Sequence, residues 1–347
     1  MILQPYFKKA FPVIIFFIAL HIKVNAQNIE RLTFNLPQTK VTNSLYNKIT
    51  LIDLRPDTCN MGVVQTGMFN KKALVVAKQP LNLQLNDILT ALIDNTAKSQ
   101  ELVLQLRLIS FAEETGGFTE KGNFSLNAQL YAKTTNGYNK INTIDTTVTV
   151  SSAMDVTNAL LKKGGETLSN FIAANLRHQP SNNNYTFNEV EKADSVEKSK
   201  LTLYKTNTFT DGLYMTYKAF CDQMPDKKIT VEGDSVKKNN VKVADETGKL
   251  EKVTAGDYYA VVYKGKPYIS SPFGNYPLTK VNNDFFFTGK LSNNVNNNYA
   301  AIGSMYGAIG GAVAGAAGAA VGYNYDIFLY KIFYKNGLFI RLKGVRK

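Results

Sequence analysis

Hydrophobic and polar residues in the first half of the chain repeat with two different periods. Leu102, Leu104, Leu106 and Leu108 alternate with mostly polar residues, and residues 124–130 alternate in the same way, so both stretches are predicted to be half-buried strands. Residues Leu81–Ala97 instead follow the i, i+3, i+4, i+7 spacing of a helix with one buried face. The apolar residues at that spacing are Leu85, Ile88, Leu89 and Leu92.

The other elements of this half follow from the same two patterns. Further strands are predicted over Lys48–Leu54, Met61–Thr66, Lys72–Ala77 and Tyr138–Val150. Ser152 with Asp155 three residues later resembles a helix start. The residues that line this second helix are Val156, Leu160, Leu168, Phe171 and Ile172. The resulting order predicts an α+β domain over residues 28–177, in which an antiparallel sheet carries both helices on one face.

A family resemblance appears at the end of the first predicted strand. The run Asp53–Asp57, DLRPD, is followed by the glycine-valine segment at residues 62–64. Together with the order of elements, these residues resemble the YajG-type family of bacterial envelope lipoproteins over roughly this half of the chain. The resemblance implies no enzyme activity. The chain departs from the family because no cysteine for lipid attachment follows its N-terminal segment.

Residues 178–205 are predicted to be a linker between two domains. They combine proline, an asparagine run and mixed charge with little apolar periodicity, apart from a candidate charged helix around Asn188–Lys200. Residues 206–347 contain many short alternating runs and are predicted to form a mainly β domain. Gly212, Tyr214 and Phe220, with the strands after them, resemble an uncharacterised domain of exported bacterial proteins, which implies no activity.

The most unusual stretch of the chain is Tyr299–Gly322, which interrupts this β domain. It consists mainly of glycine and alanine, and no charged residue occurs between Lys290 and Asp326. Its candidate contact residues recur at small-xxx-small spacing, the pattern that lets membrane helices approach closely. They are Gly303, Gly307, Gly311, Gly315, Gly318 and Gly322. As a helix the stretch would be about 36 Å long, against about 30 Å for a bilayer core, so a membrane helix is predicted.

Two alternatives remain open for this stretch. A glycine-alanine helix could pack tightly against its own sheet in a water-soluble protein. The chain could also turn at Gly310–Gly311, which would leave two halves that are too short to span a bilayer. A predicted hairpin with Asn336-Gly337 at its turn follows the stretch, and this β structure is the main difficulty for a single crossing.

The first 26 residues have the three parts of a secretory signal peptide. Lys8 and Lys9 precede a short apolar run, and Val24-Asn25-Ala26 forms a cleavage site with small residues. The mature protein is therefore predicted to begin near Gln27 and to reside in the periplasm or cell envelope. An exported protein rarely meets nucleic acid, so the formal charge of +13 favours a membrane partner over nucleic acid.

The residues that carry chemistry are few. Asp53, Arg55 and Asp57 could bind a metal or act as acid and base, but a local ion pair with solvated charges is favoured. His178 lies in the predicted linker, where catalytic geometry is seldom held. Cys59 and Cys221 are interpreted as two separate buried residues, although pairing remains open. We expect no cofactor and no metal.

These observations predict a non-enzymatic protein of the cell envelope with a binding or scaffolding role. Its glycine-rich helix would associate with the membrane, with a protein partner or with another copy. A membrane-tethered hydrolase of unrecognised type is one alternative, and a pore formed by self-assembly is another.

Overall fold

A computed structural model describes residues 28–67, 71–115, 120–152, 156–236, 240–291 and 327–342 of the chain. These residues form four β-sheets and six helices, and strands account for most of the regular structure. The structure is thus mostly β with few helices, which confirms the predicted fold class in part, and the glycine-alanine helix stays a prediction. The candidate glycines between residues 303 and 322 lie outside the described residues, as does the N-terminal segment 1–27.

The largest sheet belongs to the first half of the chain. Its elements in chain order are β1 (Asn28–Leu32), β2 (Tyr46–Asp53), β3 (Gly62–Thr66), β4 (Lys71–Ala77), α1 (Leu81–Leu92), β5 (Gln100–Thr115), β6 (Glu120–Thr134), β7 (Gly137–Ser152), α2 (Thr157–Asn175) and β8 (Asn184–Tyr185). The strands lie in the order β1-β4-β3-β5-β6-β7-β8, and β2 also pairs with β5. The long strands β5, β6 and β7 form its centre and one side.

The sheet is mixed, so the prediction of an antiparallel sheet is wrong. Strand β1 runs parallel to β4, and both β2 and β3 run parallel to β5. The first seven residues of β5 pair with β2, whereas Phe111 and Ala112 pair with β3. A parallel pair needs a crossover connection, and α1 lies within the one that joins β2 to β5. Alternation of apolar residues does not encode strand direction, so it could not predict these parallel pairs.

Both long helices pack on the same face of this sheet, as predicted. The buried stripe of α1 consists of Leu85, Ile88, Leu89 and Leu92, and that of α2 includes Leu160, Leu168 and Ile172. All of them join one core with the inward leucines of β5. At about 25 cal/mol per Å² of apolar surface, burial of each such leucine contributes roughly 2 kcal/mol. This core holds the sheet flat against its helices.

The ends of both helices differ from the predicted ones. Helix α1 stops at Leu92 because Ile93 is extended and forms a bridge with Val41, so the helix does not reach Ala97. Helix α2 begins at Thr157, and Ser152 belongs to β7 instead of capping it. Asp155 lies outside the described residues. The predicted helix start at Ser152 is therefore wrong, because this residue ends strand β7.

The segment that the sequence assigns to a linker is folded. After β8 it forms three short helices, α3 (Phe187–Glu191), α4 (Ala193–Lys198) and α5 (Thr202–Lys205). Helices α3 and α4 confirm the predicted charged helix around Asn188–Lys200. Thr186 and Glu189 form a capping box at the start of α3, and Val190, Leu203 and Tyr204 are buried. These buried side chains explain why the segment is not extended, despite its polar composition.

The second half consists of three small antiparallel sheets. Its elements are β9 (Gly212–Tyr214), α6 (Tyr217–Asp222), β10 (Ile229–Val231), β11 (Val241–Ala244), β12 (Leu250–Lys252), β13 (Ala260–Tyr263), β14 (Lys266–Ser271), β15 (Gly274–Pro277), β16 (Thr279–Val281), β17 (Asp284–Gly289), β18 (Phe328–Ile332) and β19 (Phe339–Arg341). The sheets have the orders β10-β11-β12, β15-β14-β13-β9 and β16-β17-β18-β19. Aromatic side chains from the last two sheets share one core. The predicted hairpin after the glycine stretch is confirmed as β18 and β19.

Candidate functional site

The segment that contains the candidate glycines connects two neighbouring strands of one sheet. Residues 292–326 lie outside the described residues, so a helix over Tyr299–Gly322 stays a prediction. The ends of the segment are described, however, and Gly289 of β17 pairs directly with Phe328 of β18. The chain therefore leaves the sheet and returns to it at the same end. We call residues 290–327 the insertion.

This pairing restricts how the insertion can meet a membrane. A single crossing would separate β17 from β18 by the thickness of a bilayer, whereas the two strands are hydrogen-bonded neighbours over four residue pairs. A crossing helix over residues 299–322 would need a return path made by the few residues on either side of it. Extended backbone does not cross lipid, because its polar groups lack partners there. A single crossing is therefore compatible with the pairing of Gly289 and Phe328 only if such a return path exists.

No helix among the described residues is long and apolar enough to cross a membrane.

An apolar groove lies beside the insertion on the sheet β16-β17-β18-β19. It has a volume of about 540 Å³. Its lining residues are Pro277, Thr279, Val281, Phe286, Phe287, Thr288 and Leu329. Val281 is 49% exposed, and Ile327 at the end of the insertion is 56% exposed. Val281 lies at the end of the sheet away from the insertion, whereas Thr288 and Leu329 of the groove pair next to Gly289 and Phe328, where the insertion begins.

The candidate acid-base group forms a local ion pair, as favoured by the sequence. The Arg55 Nε donates to Asp53 Oδ1 over 2.8 Å, and its Nη2 donates to Asp53 Oδ2 over 2.7 Å. The Arg55 side chain is only 5% exposed, so it is less solvated than expected. Asp57 accepts hydrogen bonds from the Cys59 amide and from Asn60 Nδ2, which fixes the turn of the loop. All three side chains therefore stabilise the loop between β2 and β3.

A polar crevice of about 390 Å³ lies next to this loop. The side chains of Asp53 and Arg55 line it together with the first residues of α1. The two opposite charges neutralise each other, which leaves no net charge to attract a ligand. Within the described ranges, no group of His, Cys, Asp and Glu residues could hold a metal ion. The two charged side chains that line the crevice are thus paired with each other.

The remaining candidate residues are also in structural positions. Cys59 is exposed and Cys221 is buried, and both are free, so the expectation that both are buried is wrong for Cys59. His178 follows α2, where its Nδ1 lies 3.0 Å from Asn175 Oδ1. Its carbonyl oxygen accepts a hydrogen bond from the Tyr46 hydroxyl. These contacts join the end of α2 to β2.

A buried charged cluster was not found from the sequence. Strand β5 has a bulge between Leu106 and Leu108, which leaves Arg107 as the extra residue. The Arg107 side chain is fully buried, on the face of the sheet opposite α1 and α2. Its Nη1 donates to Glu197 Oε1 over 2.9 Å, and its Nε lies 3.1 Å from Asp194 Oδ1. Both carboxylates belong to α4, in the predicted linker.

The C-terminal turn completes this cluster. The Tyr334 hydroxyl donates to Glu197 Oε2 over 2.6 Å, and Lys335 Nζ lies 2.5 Å from the same oxygen. Burial disfavours ionised Glu197, but Lys335, Tyr334 and Arg107 outweigh burial and lower its pKa to about 2. Burial and the Asp194 carboxylate raise the pKa of Tyr334. The cluster therefore holds β5, α4 and the C-terminal turn together in one fixed charge state at neutral pH.

Comparison with known proteins gives only a weak structural similarity. No protein-family model and no curated protein matches the chain. Among solved structures, the chain is similar to protein XCC0632 from Xanthomonas campestris, whose structure carries the family-model description DUF330. The match has 14% sequence identity and a TM-score of 0.27, and it covers 42% of this chain and 91% of that chain. It carries no statement about function.

Proposed function

We propose that this chain is an exported, non-enzymatic protein of the cell envelope, with a binding or scaffolding role. Its folded body attaches to a membrane through the insertion, which enters the bilayer as a hairpin that turns near Gly310–Gly311. The signal-like N-terminal segment supports export. The absence of charge between Lys290 and Asp326 supports contact with lipid.

The observation that carries the proposal is the pairing of Gly289 with Phe328. Because both ends of the insertion are at one end of one sheet, it can leave the body as a single projection and return. Each half of such a hairpin is too short to span a bilayer, so it would enter from one side. The apolar groove and the exposed Ile327 would lie next to the lipid surface at its base.

The glycines then supply contact between helices. Side-by-side halves, or hairpins from neighbouring copies, approach closely where Gly303 and Gly307 of one half face Gly315 and Gly318 of another. No described cluster of polar residues favours the alternative of a tethered hydrolase. The role of the body is therefore to bind or position a partner next to the membrane.

The test uses the full chain in membranes and two kinds of variant. In the first, residues 292–326 are replaced by a short glycine-serine loop, which can close the hairpin because β17 and β18 are already paired. We expect alkaline carbonate to leave the wild-type chain in the membrane pellet and to release the loop variant as a folded protein. Release of the wild-type chain would overturn the membrane attachment.

The second kind of variant tests the glycine contacts. Gly307→Leu places a branched side chain where two backbones should touch, and we expect it to reduce crosslinked oligomers in membranes. Ile309→Leu is the matched control, because it keeps an apolar side chain of the same size in the same segment. Unchanged crosslinking in Gly307→Leu would contradict the contacts without affecting the carbonate result.

A further inference from the structure

The outer edge of β7 is open along most of its length. Strand β8 covers only the beginning of β7, where Tyr138 and Asn139 pair with Tyr185 and Asn184. One more backbone bond follows, from the Ser181 amide to the Lys140 carbonyl over 2.8 Å. Beyond that point, no strand among the described residues pairs with β7 on this side. Past the irregularity at residues 140–142, residues 143–151 therefore have no described strand on this side, over a length of about 30 Å.

This edge lacks the features that usually prevent pairing with another chain. Open edges are commonly protected by lysine, proline, a bulge or a short strand. The sequence of residues 141–152 is INTIDTTVTVSS, in which Asp145 is the only charged residue. It contains no lysine, proline or glycine. The edge strand is thus long and almost neutral.

The strand is also held in a fixed conformation. It pairs with β6 from Gly137 to Ser152, and its only irregularity lies at residues 140–142. Even-numbered side chains from Ile144 to Val150 are half-buried on the side of α2, and odd-numbered ones from Thr143 to Ser151 are exposed on the other face. A partner strand would therefore meet a preformed edge at little cost in conformational entropy.

We propose that β7 pairs antiparallel with β7 of a second copy, centred on Thr147. A two-fold axis at this residue places each exposed side chain opposite an exposed one, because residues whose numbers add to 294 face each other. The pairs are Thr143 with Ser151, Ile144 with Val150, Asp145 with Thr149, Thr146 with Val148, and Thr147 with itself. The exposed face of one strand thus continues into the exposed face of the other. Cross-strand pairs of threonine with threonine or serine, such as Thr147 with Thr147 and Thr143 with Ser151, stabilise a sheet.

Charge disfavours the registers centred closer to Asp145. A centre at Asp145 would place two carboxylates directly opposite each other, and a centre at Thr146 would place them on a diagonal about 7–8 Å apart. Centring on Thr147 separates them by four residues along the strand, or about 13 Å. The overlap then covers residues 143–151 and supplies about eight backbone hydrogen bonds. One continuous sheet would run through both copies.

This dimer goes beyond the proposed membrane attachment and does not depend on it. The experiment uses the full chain with Cys59→Ser, which removes the exposed native thiol. Thr147→Cys places two thiols opposite each other at the centre, where the Cβ atoms are about 4.5–5.5 Å apart and a disulfide can form after a small adjustment. We expect mild oxidation to convert most of this variant to a covalent dimer.

Thr143→Cys is the matched control, because it introduces the same exposed thiol four residues away. In the proposed register the two copies of residue 143 are about 27 Å apart, so this variant should stay uncrosslinked. Equal crosslinking of both variants, or none in Thr147→Cys, would overturn the register.

A charge variant tests the dimer without a disulfide. Thr147→Lys brings two like charges together at the centre, and we expect light scattering to show a monomer in place of a dimer at micromolar concentration. Adding Gly307→Leu to Thr147→Cys should leave the crosslink unchanged, which distinguishes this edge from contacts of the insertion. The variant in which a short loop replaces residues 292–326 keeps the wild-type β7. If that variant is monomeric, the proposal is wrong.

Discussion

Arg107 of β5 donates a hydrogen bond to Glu197 of α4 over 2.9 Å, although 90 residues separate them in the chain. The guanidinium is fully buried, whereas the Glu197 side chain is 31% exposed. Tyr334, from the C-terminal turn, contacts both side chains. A single arginine on a β-bulge therefore connects the first sheet, the segment after it and the end of the second half.

Replacing this arginine should destabilise the protein strongly. Arg107→Met keeps much of the apolar volume but leaves two carboxylates of α4 with fewer cationic partners. Removing one partner of a buried ion pair costs about 3–5 kcal/mol, and partial exposure of Asp194 and Glu197 lowers the expected loss to about 2–4 kcal/mol. Urea unfolding of the purified mature chain measures this loss.

An exposed ion pair provides the control for this prediction. Lys133 lies 3.3 Å from Glu101, with its side chain 48% exposed. Because pairs of this kind contribute about 0–1 kcal/mol, Lys133→Met should change the free energy of unfolding by less than about 1 kcal/mol. Similar losses in the two variants would show that the Arg107 cluster does not hold the structure together.

The same cluster predicts how stability depends on acid. The pKa of Glu197 falls from its ordinary 4.5 to about 2 in the folded state. A depressed pKa stabilises the folded state above the ordinary pKa, and this stabilisation disappears as the pH falls through the folded value. The contribution is up to about 3 kcal/mol, present above pH 4.5 and lost between about pH 4.5 and pH 2.

Glu197→Gln isolates this contribution. The amide keeps the shape of the side chain but cannot ionise, so wild type should be more stable than the variant at pH 6. The difference should shrink steadily as the pH is lowered from 4.5 towards 2, in urea unfolding measured at each pH. A difference that stays constant over that range would show that the Glu197 pKa is not depressed.

Much of the first half could be predicted from side-chain periodicity alone. The stripes Leu85–Leu92 and Leu102–Leu106 are buried as predicted, because each repeats with the period of its own element. Both stripes face one core, so the pattern also identified the face on which α1 packs. The spacing of apolar residues was sufficient to predict the buried face wherever a helix or strand packs against a single core.

The parts that sequence missed depend on contacts between distant residues. Arg107 looked like a solvated residue of a half-buried strand, but a bulge and the cover of α4 bury it. Gln105 is buried on the same face, although alternation suggested an exposed side. The polar segment 178–205 folds because it covers that face. The spacing of residues within one strand does not indicate that another segment covers its second face.

Gly164, in the middle of α2, allows the helix to pack closely against the sheet. A Cβ at Gly164 would lie 2.5 Å from Phe111 Cε1 and 2.8 Å from Phe124 Cδ2. These two rings are fully buried and pack against each other at an interplanar angle of 42°, with centroids 4.8 Å apart, so neither can move aside easily. A Cβ at Gly165 would meet its nearest atom, Phe34 Cδ1, at 3.3 Å.

Two alanine variants of neighbouring residues should therefore differ in sign or in size. Both gain up to about 1 kcal/mol of helix propensity over glycine. Gly164→Ala should still lose about 1–3 kcal/mol, because the methyl group overpacks the core against the two rings. Gly165→Ala should stay within about 1 kcal/mol of wild type, because Phe34 needs to shift by only a few tenths of an ångström. Urea midpoints of the two variants compare them directly, and equal midpoints would mean that α2 does not approach β5 and β6 as closely as this packing requires.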